Sequence, residues 1–159
     1  MKRISFAGAL LLSLLLAGCI GTSLRVNAPY QPSPGQKLTY EIVDKAQTSE
    51  EALTIMRERL NEQLEAAGLL AKSADGSTRA VEIVVTNYVM RHGATRFWAG
   101  AFAGADNILT TVVVKDAKTK EVLSRFEAES RNPSAWATSR GLIQGHADKI
   151  VNYLKSGQQ

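Results

Sequence analysis

The residue in this chain best suited to covalent chemistry is its single cysteine, Cys19. A cysteine thiolate is a strong nucleophile. Cys19 directly follows the small residues Ala17 and Gly18, and ahead of them lie Lys2-Arg3 and an apolar run over 4–16. A basic start, a short apolar run and small residues at a cleavage point are typical of a secretory signal. The sequence therefore predicts that the chain is exported and cut close to Cys19.

The run Leu16-Ala17-Gly18-Cys19 resembles the lipobox of bacterial lipoproteins. That resemblance implies a diacylglyceryl group on the Cys19 thiol, removal of residues 1–18 as a signal peptide, and an acyl chain such as palmitate on the new amine. Lipid at two positions anchors a protein stably to a membrane. Ile20 stands where some lipoproteins carry the aspartate that retains them in the inner membrane. The resemblance therefore implies the outer membrane, with the protein facing the periplasm.

Two other interpretations of the first segment remain open. A transmembrane helix needs about 20 apolar residues, and the run over 4–16 is shorter. A secretory signal without lipid attachment is the stronger alternative. One cysteine cannot form an intramolecular disulfide, although an exported protein meets an oxidising compartment.

Charge and histidine spacing argue against several other kinds of chemistry. The formal net charge of +4 falls to +2 once Lys2 and Arg3 leave with residues 1–18, which does not favour nucleic-acid binding. His92 and His146 are far apart along the chain, and neither has a metal-type ligand three or four residues away. We therefore predict no metal, no cofactor and no catalytic residue, and no small-molecule substrate is evident.

A Ser-His-Asp set could be drawn from Ser139, His146 and Asp148, but the chain lacks the Gly-x-Ser-x-Gly turn that aims a serine nucleophile. His146 lies on the apolar stripe of the last predicted helix, which favours a half-buried, hydrogen-bonded histidine. Asp44 and Asp116 end predicted strands and are most simply turn or cap residues. The sequence thus predicts a protein that is not an enzyme.

The predicted lipid anchor is followed by a proline-rich stretch. Pro29, Pro32 and Pro34 disfavour both helix and sheet, so residues 19–36 are predicted to be the anchor and a tether. An ordered arm packed on the domain is the alternative. The folded domain is predicted over residues 37–157.

The domain begins with a strand and a helix. Leu38, Tyr40 and Ile42 alternate with polar residues, which indicates a strand. Thr48 is predicted to be the helix N-cap, and Glu51 three residues later completes a capping box. The helix that follows has one apolar face and ends near a glycine that suits a left-handed C-terminal position. That face and its glycine are Leu53, Met56, Leu60, Leu64, Ala67 and Gly68.

The rest of the domain reads as three strands and a helix. Residues 80–90 are apolar on both faces, which predicts a central strand covered on two sides. Residues 108–115 and 121–130 predict an antiparallel hairpin, and a last helix runs from Ser134 or Ser139 to Lys155. The order β-α-β-β-β-α predicts a single α/β domain of α+β-like type, whose mixed sheet is covered by two helices.

One segment, residues 91–105, is too long for a tight turn and too apolar for an ordinary solvated loop. Three interpretations remain open. The aromatic residues could cap the core, they could dock a partner with aromatic and arginine anchors, or the segment could contact a membrane, since a Gly-x-x-x-Gly spacing packs helices in lipid. The predicted partner-binding residues are Arg96, Phe97, Trp98, Gly100 and Gly104.

The same segment carries a second resemblance. Arg96, Gly100 and Gly104, followed by the hairpin over 112–123, resemble a bacterial lipoprotein family called domain of unknown function 4410. The likeness covers roughly residues 38–154, and Lys120 stands where that family has a glycine in the hairpin turn. The resemblance implies an envelope location, and it supplies no catalytic residues.

These observations predict a lipid-anchored protein of the cell envelope, of binding or structural type. Its predicted partners are the membrane, through lipid on Cys19, and another envelope protein or a second copy of itself. The first alternative is an accessory subunit of an outer-membrane secretion or assembly complex. The second is a hydrolase of envelope polymers, which would need converging groups such as Asp44, Asp116 or a histidine.

Overall fold

Five strands form one mixed sheet in the order β1-β5-β4-β3-β2. The computed structural model describes residues 21–73, 78–91, 105–133 and 138–158. Only the β2–β3 pair is parallel, and the other three pairs are antiparallel. The elements are β1 (Gly21–Ala28), β2 (Lys37–Asp44), α1 (Glu50–Ala66), β3 (Thr78–Val89), β4 (Asp106–Asp116), β5 (Val122–Asn132) and α2 (Ser139–Ser156). The α+β class and the predicted element order are confirmed, and the structure adds one strand, β1, at the sheet edge.

Both helices pack on the same face of the sheet. Alternate residues of β3, namely Val81, Ile83 and Val85, share one buried core with the apolar faces of α1 and α2. Phe126 of β5 and Tyr153 of α2 meet edge to face there, with ring centroids 4.5 Å apart. No described helix is long and apolar enough to cross a membrane.

The opposite face of the sheet carries charged side chains, and neither described helix packs on it, whereas the sequence predicted cover on both sides of the central strand. Lys115 and Glu82 form an ion pair on this face, with Nζ and Oε2 2.7 Å apart. Val84 and Val113 are nevertheless buried in its centre, although both described helices lie on the other face. The middle of β3 is therefore buried on both faces, and the described helices account for one of them.

Helix α1 begins one residue later than predicted. Ser49 is its N-cap, and the Ser49 hydroxyl accepts a hydrogen bond from the N–H of Ala52. The Thr48 hydroxyl instead donates to Asp44 Oδ1 at 2.7 Å, and the Thr48 N–H donates to Oδ2 at 3.0 Å. The Thr48 hydroxyl is the main reason that the pKa of Asp44 lies below its usual value. Asp44 is thus a turn residue, as predicted.

The N-terminal arm is ordered from Gly21 onward, which corrects the predicted tether of residues 19–36 over its described part, 21–36. Strand β1 pairs with β5, and Leu24 and Val26 turn toward the core. After β1, Tyr30 is buried, and its N–H donates to the Tyr153 hydroxyl at 3.0 Å. Gly157 at the end of α2 has φ 68°, and a Cβ there would lie 2.6 Å from the Tyr30 carbonyl oxygen. The prolines therefore follow a strand that packs on the domain, which is the alternative of an ordered arm.

The β4–β5 hairpin closes on Asp116. Its Oδ1 accepts hydrogen bonds from the N–H groups of Lys118 and Thr119, and these bonds lower the pKa of Asp116. Lys120 has φ 63°, in the left-handed region that favours glycine. The resemblance to a lipoprotein family implies a glycine at this position, and Lys120 adopts the backbone conformation that a glycine would take.

Candidate functional site

The residues predicted to carry function lie outside the described residues. These are Cys19, the predicted lipid attachment site, and the predicted partner-binding residues Arg96, Phe97, Trp98, Gly100 and Gly104. The structure does describe the residues that flank them. Gly21 follows the first site, and Arg91 and Asp106 lie on either side of the second.

The flanking residues come together at one end of the sheet. Gly21 pairs with Arg131, Arg131 with Asn107, and Asn107 with Val89. This row, Gly21, Arg131, Asn107 and Val89, is called the Gly21 end here. It places the start of β1, the end of β5, the start of β4 and the end of β3 side by side. The described residues that flank the two predicted sites therefore lie at the same end of the domain, although they are far apart in sequence.

A buried ion pair lies at the Gly21 end. The side chains of Arg91 and Asp106 are 4% and 0% exposed, and Arg91 Nε donates to Asp106 Oδ1 at 3.1 Å. The Arg91 N–H donates to the same oxygen at 2.9 Å, and Nη2 donates to the Asn132 carbonyl at 2.9 Å. Arg91 thereby joins the end of β3 to the start of β4 and the end of β5. The pair holds the end of β3 and the start of β4 together. The segment over 92–105 connects these two strand ends.

Sequence reasoning missed this pair. Arg91 was only the first residue of an unusual segment, and Asp106 was not singled out. An arginine just after one apolar strand and an aspartate at the start of the next were the available signal. Opposite charges at neighbouring strand ends are candidates for a pair once the two strands are expected to form a hairpin.

A cleft of about 770 Å³ opens beside the Arg91–Asp106 pair. It lies between the end of β3 and the first turns of both helices, where the Ser49 and Tyr88 hydroxyls are 3.2 Å apart. Its described lining combines apolar side chains, including Ile55 and Ile143, with Glu51, Arg91 and Arg140. Such a mixed lining suits contact with a partner or a polar ligand, and the cleft belongs to the same end of the molecule as the flanking residues.

His146 is completely buried in a chain of hydroxyl groups. Its Nε2 lies 2.9 Å from Thr110 Oγ1 and its Nδ1 lies 2.8 Å from Ser130 Oγ. Ser130 Oγ in turn lies 2.6 Å from Thr22 Oγ1 on β1. Burial lowers the pKa of His146 from 6.5 to about 3, so the ring is neutral at physiological pH. The predicted hydrogen-bonded histidine is confirmed, with full rather than half burial.

Acid should weaken the fold through His146. The folded state resists protonation down to a pKa of about 3, whereas the unfolded chain takes up the proton below 6.5. The stability that depends on a neutral His146 is therefore fully present above pH 6.5 and is lost as the pH falls toward 3. Between pH 7 and pH 5 the free energy of unfolding should fall by about 2 kcal/mol. This pH interval lies above the range in which carboxylates usually titrate. Urea unfolding at both values should show this loss in the parent and a much smaller one in His146→Asn; equal losses would contradict it.

The other residues considered for chemistry lie in separate surroundings. Asp148 is held by Arg59, whose Nε and Nη2 donate to its carboxylate at 2.7 and 3.0 Å. Both ring nitrogens of His146 are engaged by hydroxyl groups, so the arrangement does not join Ser139, His146 and Asp148 into a triad. Within residues 21–73, 78–91, 105–133 and 138–158, no group of three or more His, Cys, Asp or Glu side chains is placed to hold a metal ion.

The described chain is an α+β domain with two helices on one face of a five-stranded mixed sheet. The chain belongs to the family described as domain of unknown function (DUF4410), whose sequence pattern matches residues 29–138. No curated protein matches the chain in sequence.

Solved structures of other bacterial proteins share the fold, including the three that follow. A PelC dodecamer from Paraburkholderia phytofirmans, in a single-residue variant, aligns with a TM-score of 0.63 at 13% identity, over 86% of this chain and 99% of that chain. Lipoprotein GNA1162 from Neisseria meningitidis aligns with a TM-score of 0.50 at 14% identity, over 76% and 98% of the two chains. Protein XCC0632 from Xanthomonas campestris aligns with a TM-score of 0.50 at 13% identity, over 82% and 91%. At such identities the likeness concerns the fold.

Proposed function

We propose that this protein is a lipid-anchored, non-enzymatic component of the bacterial cell envelope, held on the outer membrane by lipid on Cys19 and facing the periplasm. One observation carries the proposal: the run Leu16-Ala17-Gly18-Cys19 is followed almost directly by strand β1, which begins at Gly21. Cutting the chain before Cys19 therefore leaves β1 and the elements after it intact. The occurrence of the fold in a Neisseria protein named as a lipoprotein supports the same proposal.

We further propose that the domain works by contact with another copy of itself or with another envelope protein. The PelC structure that shares the fold is named as a dodecamer, which supports self-association. The proposed contact residues are Arg96, Phe97 and Trp98, with Gly100 and Gly104 allowing close approach of the two backbones. Membership of a multi-subunit secretion or assembly complex is the alternative, since a subunit of such a complex would present the same kind of surface.

Replacing the anchor cysteine tests the first part of the proposal. Cys19→Ala should abolish incorporation of labelled palmitate and leave an unprocessed precursor that still carries residues 1–18, because lipid attachment precedes cleavage in lipoproteins. Intact-mass measurement and metabolic labelling check both results. Ser23→Ala, at an exposed position in β1, is the matched control and should mature normally. An identical mature mass in Cys19→Ala and the parent would contradict the lipoprotein proposal.

Replacing Trp98 tests the second part. If Trp98 anchors a partner, Trp98→Ala should weaken association by about 2 kcal/mol or more, as hot-spot residues do, with little change in the stability of the isolated domain. Sedimentation measures self-association, crosslinking in cells captures a different partner, and thermal unfolding measures stability. If Trp98 instead caps the core, the same change should cost about 3–5 kcal/mol of stability. A large stability loss with unchanged association would refute the contact role.

A further inference from the structure

We propose that the Gly21 end of the sheet faces the lipid bilayer, so that the domain stands end-on with its strands directed toward the membrane. This inference rests on the proposed lipid attachment at Cys19. It adds an orientation and a membrane-facing surface, neither of which follows from lipid attachment alone. The short stretch of chain between Cys19 and the first paired residue of β1 sets this orientation.

Very little chain separates the proposed anchor from the sheet. Gly21 is two positions after Cys19 and is already paired with Arg131. Two residues span at most about 7 Å even when fully extended. The lipid-bearing residue therefore lies close to the Gly21 end. The linker between them is too short to let the domain reverse its orientation relative to the membrane.

The opposite end of the sheet is much farther from the anchor. Strand β4 extends nine residues from Asn107, in the Gly21 row, to its last residue Asp116, where the hairpin turn begins. At the rise of an extended strand, this separation is about 30 Å. The 7 Å reach thus brings the Gly21 end to the headgroup region and leaves the β4–β5 turn in solution.

The surface at the Gly21 end is compatible with this position. Val89 is 49% exposed at this end, and Val122 beside the β4–β5 turn is exposed to the same extent, so apolar exposure permits the orientation without selecting it. The carboxylate of Asp106 is buried against Arg91, so its charge is not presented to the headgroups. Arg131 and Arg140 are exposed at this end, while Glu50 and Glu51 begin α1. Because these charges are mixed, the short anchor rather than charge attraction sets the orientation.

Single thiols at the two ends of the sheet test the orientation. Acylation of Cys19 consumes its thiol, so Val89→Cys and Lys118→Cys each add one thiol that takes a fluorescent label. Both positions are exposed, which keeps the label out of the core. The full lipidated protein is placed in phosphatidylcholine vesicles that carry a nitroxide on the headgroup. We expect several-fold stronger quenching of the label at position 89 than at position 118. Equal quenching, or stronger quenching at position 118, would overturn the orientation.

A spacer variant tests whether the short linker is responsible. Inserting about 20 Gly and Ser residues between Ile20 and Gly21 gives a flexible reach of roughly 25 Å. The difference in quenching between the two positions should then largely disappear while the protein still floats with the vesicles. A difference that survives the insertion would overturn the role of the linker.

Flotation separates failure of the orientation from failure of the proposed function. If the parent protein does not float with vesicles and its Cys19 thiol reacts with maleimide, lipid attachment itself is refuted, and the orientation falls with it. If the parent floats and the two labels are quenched equally, lipid attachment stands and the end-on orientation alone is refuted.

Discussion

Replacing Asp106 with alanine should destabilise the domain by about 3–5 kcal/mol, because the change removes the buried carboxylate that pairs with the Arg91 guanidinium. Arg91 is 4% exposed at its side chain and donates both its backbone N–H and Nε to one oxygen of Asp106. Water cannot easily replace that oxygen in so buried a place. Urea unfolding of the parent and of Asp106→Ala, followed by circular dichroism, measures the loss.

An exposed ion pair on the neighbouring strands provides the matched control. Arg25 and Glu127 lie 3.9 Å apart, with side chains 81% and 37% exposed. Glu127→Ala should change the free energy of unfolding by no more than about 1 kcal/mol, since solvent screens such a pair. The double change Arg91→Met with Asp106→Leu should recover much of the loss, because it removes both buried charges. If Asp106→Ala costs no more than Glu127→Ala, the buried pair does not hold this end of the sheet together.

The part of the fold that followed from the sequence is the part with local periodicity. The apolar positions of α1, such as Met56 and Leu64, recur every three or four residues and are buried as predicted. The β4–β5 hairpin is also local, since Asp116 binds the N–H groups of the turn that follows it. Patterns of this kind depend on the faces of single elements and need no knowledge of distant partners.

Strand β1 could not be recognised from local periodicity, because the strand that pairs with it lies far along the chain. Its partner β5 is about a hundred residues away, and the Thr22–Ser130 contact joins residues 108 positions apart. Leu24 and Val26 do alternate with polar residues, but the prolines at 29, 32 and 34 weighed more heavily in the prediction of a tether. Those prolines lie after the strand ends at Ala28, where they interrupt no pairing.

The candidate site likewise has one part that could be predicted from neighbouring residues and one part that could not. Cys19 could be proposed from its immediate neighbours, since a signal for lipid attachment is read along the chain. The Gly21 end is instead a product of strand register, which aligns Gly21, Arg131, Asn107 and Val89 across four strands. Register depends on which strands are neighbours in the sheet and on their bulges. Neither the β1–β5 pairing nor the burial of Arg91 with Asp106 could be obtained from the separate patterns of these elements.

Truncating Leu60 should be nearly as costly as removing Asp106, because Leu60 lies at the centre of the apolar face of α1. Its side chain is 0% exposed and belongs to the core that α1 shares with α2 and the sheet. Leu60→Ala should lower the free energy of unfolding by about 2–5 kcal/mol, through lost apolar burial and the cavity left behind. Since a whole domain is stabilised by only about 5–15 kcal/mol, the variant should unfold at a clearly lower urea concentration.

A substitution on the exposed side of the same helix separates loss of core packing from loss of helix. Glu58 is exposed on α1, and Glu58→Ala should change stability by no more than about 0.5 kcal/mol. Both substitutions introduce alanine, so the two variants share its high helix propensity at the substituted position. A difference of several kcal/mol between them can then arise only from burial, because the helical backbone is equally favoured in both. If Leu60→Ala also changes stability by less than about 0.5 kcal/mol, the apolar face of α1 does not stabilise the core and the packing described for it is incorrect.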